Sequence, residues 1–231
     1  MKEKVKTNSQ DSRRRVFIVD DHPLVCHGVK QILNQESDLV FCGGAEDAAH
    51  ALKEVKALKP DVVIVDLSLK SGNGLELIMD LTIHCPGTRI LVVSMHDETL
   101  YAERALRAGA HGYLMKEEAG EKVLTAIRHV LKGETYLSEK MTREVLSRLT
   151  GHERQPAHSV MESLSNRELQ VFQLLGRGYA PRQIADTMHL SVKTVETYRE
   201  HIKAKLGLKD ASQTVQFAIQ WVHSQAETAK T

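Results

Sequence analysis

Five reactive side chains stand where short apolar runs end: Asp20 and Asp21 after VFIV, Asp66 after VVIV, Ser94 after ILVV and Lys116 after GYLM. An ionised aspartate is costly to bury without partners, so Asp66, closing a run of β-branched residues, must be held charged or used for its charge. If the runs are neighbouring parallel strands, their carboxyl ends converge, and three carboxylates, a hydroxyl and an amine share one crevice. Three clustered carboxylates repel one another and take up protons unless a cation joins them. A hard divalent ion resolves the repulsion, and Mg2+ suits a few carboxylates, a carbonyl and waters. Flanked by such an ion and the Lys116 ammonium, Asp66 can act as nucleophile toward a phosphoryl group whose charge they stabilise. Ser94 is placed to donate a hydrogen bond to the resulting acyl phosphate. Each residue alone has a plainer role: Asp20 or Asp21 as a helix N-cap, Lys116 as a surface lysine at a strand end. Their joint occurrence at the ends of the correct strands favours the site.

The elements that must position these groups are visible as an alternation. RVFIVD, DLVFCG, DVVIVD, RILVVS and HGYLMK are apolar on both faces, as in a parallel sheet covered on each side. HPLVCHGVKQIL, EDAAHALKEVKAL, GLELIMDLTIHC, DETLYAERALRAG and EAGEKVLTAIRHVL carry helical spacing between them. This predicts an α/β domain over residues 15–133, doubly wound on a five-stranded parallel sheet. A short helix, SEKMTREVLSRL, and the polar stretch GHERQPAHSVMES then form a linker over 134–163. Residues 1–14 read as a disordered tail, charged and without the apolar stretch of a secretory signal.

From residue 164 to 231 the pattern is all-helical. Ser165 and Glu168 make a capping box before an apolar period that Gly176 and Gly178 terminate. Pro181 opens a second helix, His189-Leu190 turns, and Ser191 caps VKTVETYREHIKAKL. Val195, Ile202 and Leu206 share a buried face there, with Tyr198 beside it. Lys193, Thr194, Glu196, Thr197, Glu200 and Lys203 lie opposite. A last helix, Ala211 to Val222, closes the core with Phe217 and Trp221. Two short helices joined by a tight turn, the second exposing a polar face, describe a helix-turn-helix. From Ser163 onward nine basic side chains face six acidic ones, the sign that DNA requires, although the whole chain carries only +1. A small protein-binding helical module fits the same pattern.

VDDH, IVDLSL, VVSMHD and GYLMK resemble the acidic pair, phosphoacceptor, switch hydroxyl and lysine of bacterial response-regulator receiver domains. The resemblance spans residues 15 to 132. It implies a flavodoxin-like fold in which Asp66 accepts a phosphoryl group from a sensor histidine kinase or phosphotransfer protein. It further implies Mg2+ held by Asp21, Asp66 and the Ser68 backbone carbonyl, with Asp20 helping through water, and Ser94 and Tyr113 as the switch pair. Leu69-Lys70 departs from the Met-Pro common after the phosphoacceptor, and Glu117 from the Pro common after the lysine. LSNRELQVFQLLGRG and IADTMHLSVKTVETYREHIKAKLGL resemble the helix-turn-helix of LuxR-type regulators, so the whole chain resembles a NarL/FixJ-type response regulator. That pattern puts Thr194, Glu196, Thr197 and Glu200 toward the major groove and Arg182, Lys193 and Lys203 toward phosphates. Tyr198 replaces a common His and Pro181 a common Asn. The resemblance implies promoter DNA as partner and a homodimer on phosphorylation.

The rival readings differ in class. Aspartyl-phosphate phosphatases also place an Asp after a strand, but with a second Asp two residues on, where this chain has Ser68; an enzyme is not expected. A phosphate sink or interaction protein without DNA binding would lack the helix-turn-helix. A regulator working unphosphorylated would not need every reacting residue. His22 follows the acidic pair, but imidazole suits Mg2+ poorly, so it is expected at the surface at the helix start. The other histidines are expected to be solvated. Cys26, Cys42 and Cys85 are odd in number and scattered, as reduced thiols serving as small core residues are. No apolar run reaches membrane-spanning length, and a soluble cytoplasmic protein is expected.

Overall fold

The computed structural model describes residues 13–69, 71–149, 161 and 163–228. The expected tail up to residue 12, Lys70 and most of the GHERQPAHSVMES linker lie outside the described residues. By their contacts the residues separate into two compact units, dividing between Arg143 and Glu144.

In the first unit the strands β1 (Arg14–Val19), β2 (Leu39–Ala45), β3 (Val62–Val65), β4 (Arg89–Ser94) and β5 (Gly112–Met115) form one parallel sheet ordered β2-β1-β3-β4-β5. The helices α1 (Pro23–Leu33), α2 (Ala48–Leu58), α3 (Gly74–His84), α4 (Glu98–Ala108) and α5 (Ala119–Leu131) alternate with them, α5 being preceded by a 3-10 turn at Lys116–Glu118. Val16, Ile18, Val62, Ile64, Leu91, Val93 and Leu114 point to the face covered by α1 and α5 and are buried there. The alternate residues Phe17, Val19, Val63, Val65, Ile90, Val92 and Tyr113 are buried on the opposite face. This period of two explains why the strands read as unbroken apolar runs. Each buried aliphatic side chain contributes about 1.5–3 kcal/mol relative to exposure. Three helices are started by side-chain caps: Asp47 for α2, Asn73 for α3 and Asp97 for α4.

After α5 the chain returns to β5. Tyr136 N donates to His111 O and Tyr113 N donates to Tyr136 O, at 3.1 and 2.8 Å. Ser138 then accepts from Met141 N at 3.0 Å, capping α6 (Glu139–Leu149), while its hydroxyl donates to Glu98 Oε1 at 2.7 Å on the first turn of α4.

The second unit contains α7 (Asn166–Gly176), α8 (Pro181–Met188), α9 (Val192–Lys205) and α10 (Ala211–Thr228). The capping box of α7 forms as expected. Pro181 is the first residue of α8, His189 ends it with φ +53°, and Ser191 caps α9 through Thr194 N. Leu169, Phe172, Ile184, Val195, Ile202, Ala218 and Trp221 are buried, whereas Leu206 and Phe217 are half-buried. Gly176 does not terminate α7 by its flexibility. It is the last helical residue, and a Cβ there would lie 2.4 Å from Ala218 O and 2.5 Å from Val222 Cγ2, so it sets the close approach of α7 to α10. Gly178, with φ +84°, makes the turn that follows. Gly176→Ala should therefore cost the second unit about 1–3 kcal/mol by overpacking, read as a lower urea midpoint.

Glu168, 5% exposed at its side chain, accepts from Ser165 N and Lys205 Nζ, each at 2.6 Å. Burial pushes its carboxyl up, but Lys205 and Ser165 outweigh burial and hold it below the ordinary 4.5. The resulting stabilisation is complete above that ordinary value and is lost as pH falls through the lower folded value. Glu168→Gln is expected to cost about 1–2 kcal/mol at pH 7 and almost nothing once the wild-type carboxyl is protonated, as urea melts at several pH values would show.

Candidate functional site

The sheet topology brings four strand ends to one edge. Asp20 and Asp21 follow β1, Asp66 follows β3, Ser94 closes β4 and Lys116 follows β5. Lys116 Nζ lies 2.7 Å from Asp20 Oδ2 and 2.7 Å from Asp66 Oδ2; the three side chains are 6%, 4% and 2% exposed. Burial pushes the Asp66 carboxyl above the usual carboxylate value, against the pull of Lys116. Burial would lower the Lys116 ammonium, but Asp66 and Asp20 outweigh it and hold Lys116 above the ordinary lysine value. Asp66 Oδ2 is thus taken, while Asp66 Oδ1 is buried with no hydrogen-bond partner. One ligand atom from each of Asp20, Asp21, His22 and Asp66 falls within 4.8 Å of the others, a set able to hold a metal ion.

The loop after Asp66 is pressed into place by Gly74, where a Cβ would lie 2.3 Å from Asp66 O and 2.6 Å from Leu67 Cα. Sequence reasoning passed over this residue; a glycine opening a helix next to the expected phosphoacceptor loop was the available signal. Ser68, exposed, places its hydroxyl 2.9 Å from His96 Nε2. Ser94 is fully buried and accepts from His96 N at 3.3 Å. Tyr113 is 1% exposed, and its hydroxyl donates to His96 O at 2.7 Å rather than facing solvent. Burial pushes that phenol well above its ordinary value.

His22 is at the surface at the start of α1, as expected, its side chain 58% exposed, with Nδ1 at the mouth of the pocket: 3.0 Å from Asp20 Oδ1 in a hydrogen bond, 2.8 Å from Asp21 Oδ1 and 3.9 Å from Asp66 Oδ2. The other histidines are not all solvated, since His96 stacks on Tyr101 at 4.5 Å and His111 Nδ1 accepts from Ile90 N at 3.1 Å. The cysteines are free thiols and half-buried; Cys26 packs against the core cluster.

On the second unit, Arg182, Lys193, Glu196, Thr197 and Glu200 are exposed, and Thr194 and Lys203 are half-buried. The acids are not free. Arg199 Nη1 donates to both Glu196 oxygens, at 2.8 and 2.9 Å, and Lys203 pairs with Glu200. Thr194 Oγ1 shares a hydrogen bond with Ser191 Oγ, and Thr197 Oγ1 donates to Lys193 O. Arg199 was not among the expected interface residues; its spacing of three from Glu196 was the signal. Val192, 44% exposed, begins α9.

The chain matches the response regulator receiver domain over residues 16–128 and the bacterial regulatory proteins of the LuxR family over 162–218. It belongs to the response regulators that carry both domains, a family of DNA-binding transcription regulators and not of enzymes. Among its relatives, the oxygen regulatory protein NreC of Staphylococcus aureus is 37% identical over 209 residues, 89% of this chain and 96% of NreC. RcsB of Salmonella enterica serovar Typhimurium, solved bound to the promoter P1flhDC with the phosphomimetic BeF3−, is 25% identical with a TM-score of 0.62. The match covers 89% of this chain and 98% of RcsB. A LuxR-family two-component response regulator from Aurantimonas sp. is 29% identical, with a TM-score of 0.56 over 60% of this chain and 99% of its own. Among the described residues no helix is long and apolar enough to cross a membrane.

Proposed function

We propose that this transcription regulator is switched by phosphorylation of Asp66, with a sensor histidine kinase or phosphotransfer protein as donor. The observation that carries the reading is the buried, unpartnered Asp66 Oδ1 beside an oxygen already held by Lys116. Oδ1 attacks the phosphorus of a phosphohistidine. The N–P bond breaks, and its electron pair leaves with the imidazole, which takes a proton. Lys116 stabilises the negative charge that arrives, and Ser94 donates to the new acyl phosphate. The donor set fits Mg2+, since the carboxylates supply hard oxygens and Asp66 Oδ1 lacks a partner. Asp21, Asp66 and the Ser68 backbone carbonyl would hold the ion, with Asp20 acting through water. When bound it neutralises the carboxylates and the phosphoryl oxygens.

Phosphorylation adds about −1.5 to −2 charges, which shift a distant function only through a two-state element. Ser94, Tyr113 and α4 are that element. The switched protein forms a homodimer whose paired helix-turn-helices meet half-sites about one DNA turn apart. Arg182, Lys193 and Lys203 approach phosphates, and Thr194, Glu196, Thr197 and Glu200 face the major groove. Functionally the chain divides into a receiver over 15–133, a linker over 134–163 and a DNA-binding domain over 164–231, working in the cytoplasm. The test treats the full chain with Mg2+ and beryllofluoride, then follows mass by light scattering and retention of genomic DNA fragments. Dimerisation with enrichment of discrete fragments supports the reading. A dimer that retains no DNA would point instead to a receiver acting through protein partners.

A further inference from the structure

We infer that Glu196 reads the amino group of a cytosine, and that Arg199 is the positioning residue that lets a carboxylate do so. This rests on the reading in which α9 faces the major groove, and it names the base that one position of each half-site must carry. Three observations carry it.

The first is how the acid is held. Arg199 Nη1, one turn further along α9, donates to Glu196 Oε1 at 2.8 Å and to Oε2 at 2.9 Å. The Arg199 side chain is 17% exposed, against 48% for Glu196, and its Nε is buried. The guanidinium is packed into the helix surface, and the carboxylate stands outside it, fixed through both oxygens. A carboxylate has about four acceptor positions, so each oxygen can still accept once more.

The second is charge. B-DNA carries one negative charge per about 1.7 Å of its axis, so a bare carboxylate is repelled from the groove. Both acids of α9 are paired within the helix, Glu196 with Arg199 and Glu200 with Lys203. Each pair is neutral as a unit and meets the phosphates without net repulsion, while its carboxylate oxygens remain acceptors.

The third is what the neighbours have left to offer. Thr194 Oγ1 is bonded to Ser191 Oγ at 2.8 Å, and Thr197 Oγ1 donates to Lys193 O at 3.0 Å. Between residues 196 and 200 the exposed side chains are Glu196, Thr197 and Glu200. With the threonine proton engaged by the backbone, this stretch presents acceptors and no free donor.

The base follows from the donor and acceptor pattern of the groove. A carboxylate only accepts. Guanine shows two acceptors there, thymine an acceptor beside its methyl group, and adenine a donor with an acceptor beside it. Cytosine shows a donor and no acceptor of its own. A carboxylate held at both oxygens therefore favours C·G.

The experiment treats the full-length protein with Mg2+ and beryllofluoride, lets it select from a library of randomised duplexes, and sequences the bound pool. Expected is C·G at one position of each half-site, favoured about tenfold over the other pairs. Glu196→Gln should move that position to A·T, since glutamine pairs with adenine N6 and N7, and leave the other positions unchanged. Arg199→Met should flatten the preference at that position alone, and Arg199→Lys should recover part of it. A merely structural loss would instead weaken binding to all sequences alike. Placing 7-deazaguanine opposite the cytosine removes the guanine N7 acceptor and should leave affinity unchanged. Lost affinity there would make Arg199 the reader of guanine and overturn the assignment to Glu196. Selection of the wild-type base pair by Glu196→Gln would overturn it too, with DNA binding left standing. A wild type that enriches no consensus would overturn the DNA-binding reading, and this inference with it.

Discussion

Asp66→Asn should take up no phosphoryl group from acetyl phosphate, by intact mass, yet fold with a stability within about 1 kcal/mol of wild type. The chemical half follows from the loss of the nucleophilic oxygen, because an amide does not attack phosphorus and, among the described residues, no other carboxylate combines an ion pair to Lys116 with a buried oxygen that lacks a hydrogen bond. The stability half follows from charge. Burial holds the Asp66 carboxyl above its ordinary value, so its ionised form is a net burden on the folded state. That burden is present above the folded value and fades as pH falls toward the unfolded one. Asparagine removes it, and Lys116 keeps Asp20 as a partner. A variant that still gains phosphate would displace Asp66 as the acceptor.

Lys116→Met is the opposite case. It removes the ammonium shared by two carboxylates that are 4% and 2% exposed. Breaking a buried pair from one side leaves an uncompensated charge, at a cost of about 3–5 kcal/mol. Urea unfolding at pH 7 should show this loss, and millimolar Mg2+ should recover part of it by binding the folded state alone. Acid should recover part as well, because protonated carboxyls no longer repel. A loss of under 1 kcal/mol would mean that the pocket is wetter than its geometry indicates.

These two changes touch residues that were legible in the chain before any coordinates. VVIV and GYLM can only be buried strands, and parallel topology sends whatever follows them to one edge. The capping box at Ser165 and the turn at His189 were equally open, being local. What escaped was long-range. Nothing near His22 reveals that its ring turns toward Asp66, and nothing near Gly176 reveals Ala218 against it. The pairing of Tyr136 with β5 joins residues more than twenty apart, and no periodicity marks it. The cysteines were legible only in part: a small apolar residue reads as core wherever it falls, but all three are half-buried and Cys26 alone is named with the residues packed against that core cluster.

The hydroxyl of Ser138 has two duties, accepting from the backbone that starts α6 and donating to Glu98 on the first turn of α4. A serine N-cap is worth about 1 kcal/mol to its helix. Fraying of α6 and displacement of the α4 turn are therefore one linked equilibrium. If the cap is lost when Glu98 moves away, that energy corresponds to about a fivefold change in the helix–coil ratio of α6. By reciprocity, anything that orders α6 holds α4 in its present position with the same leverage.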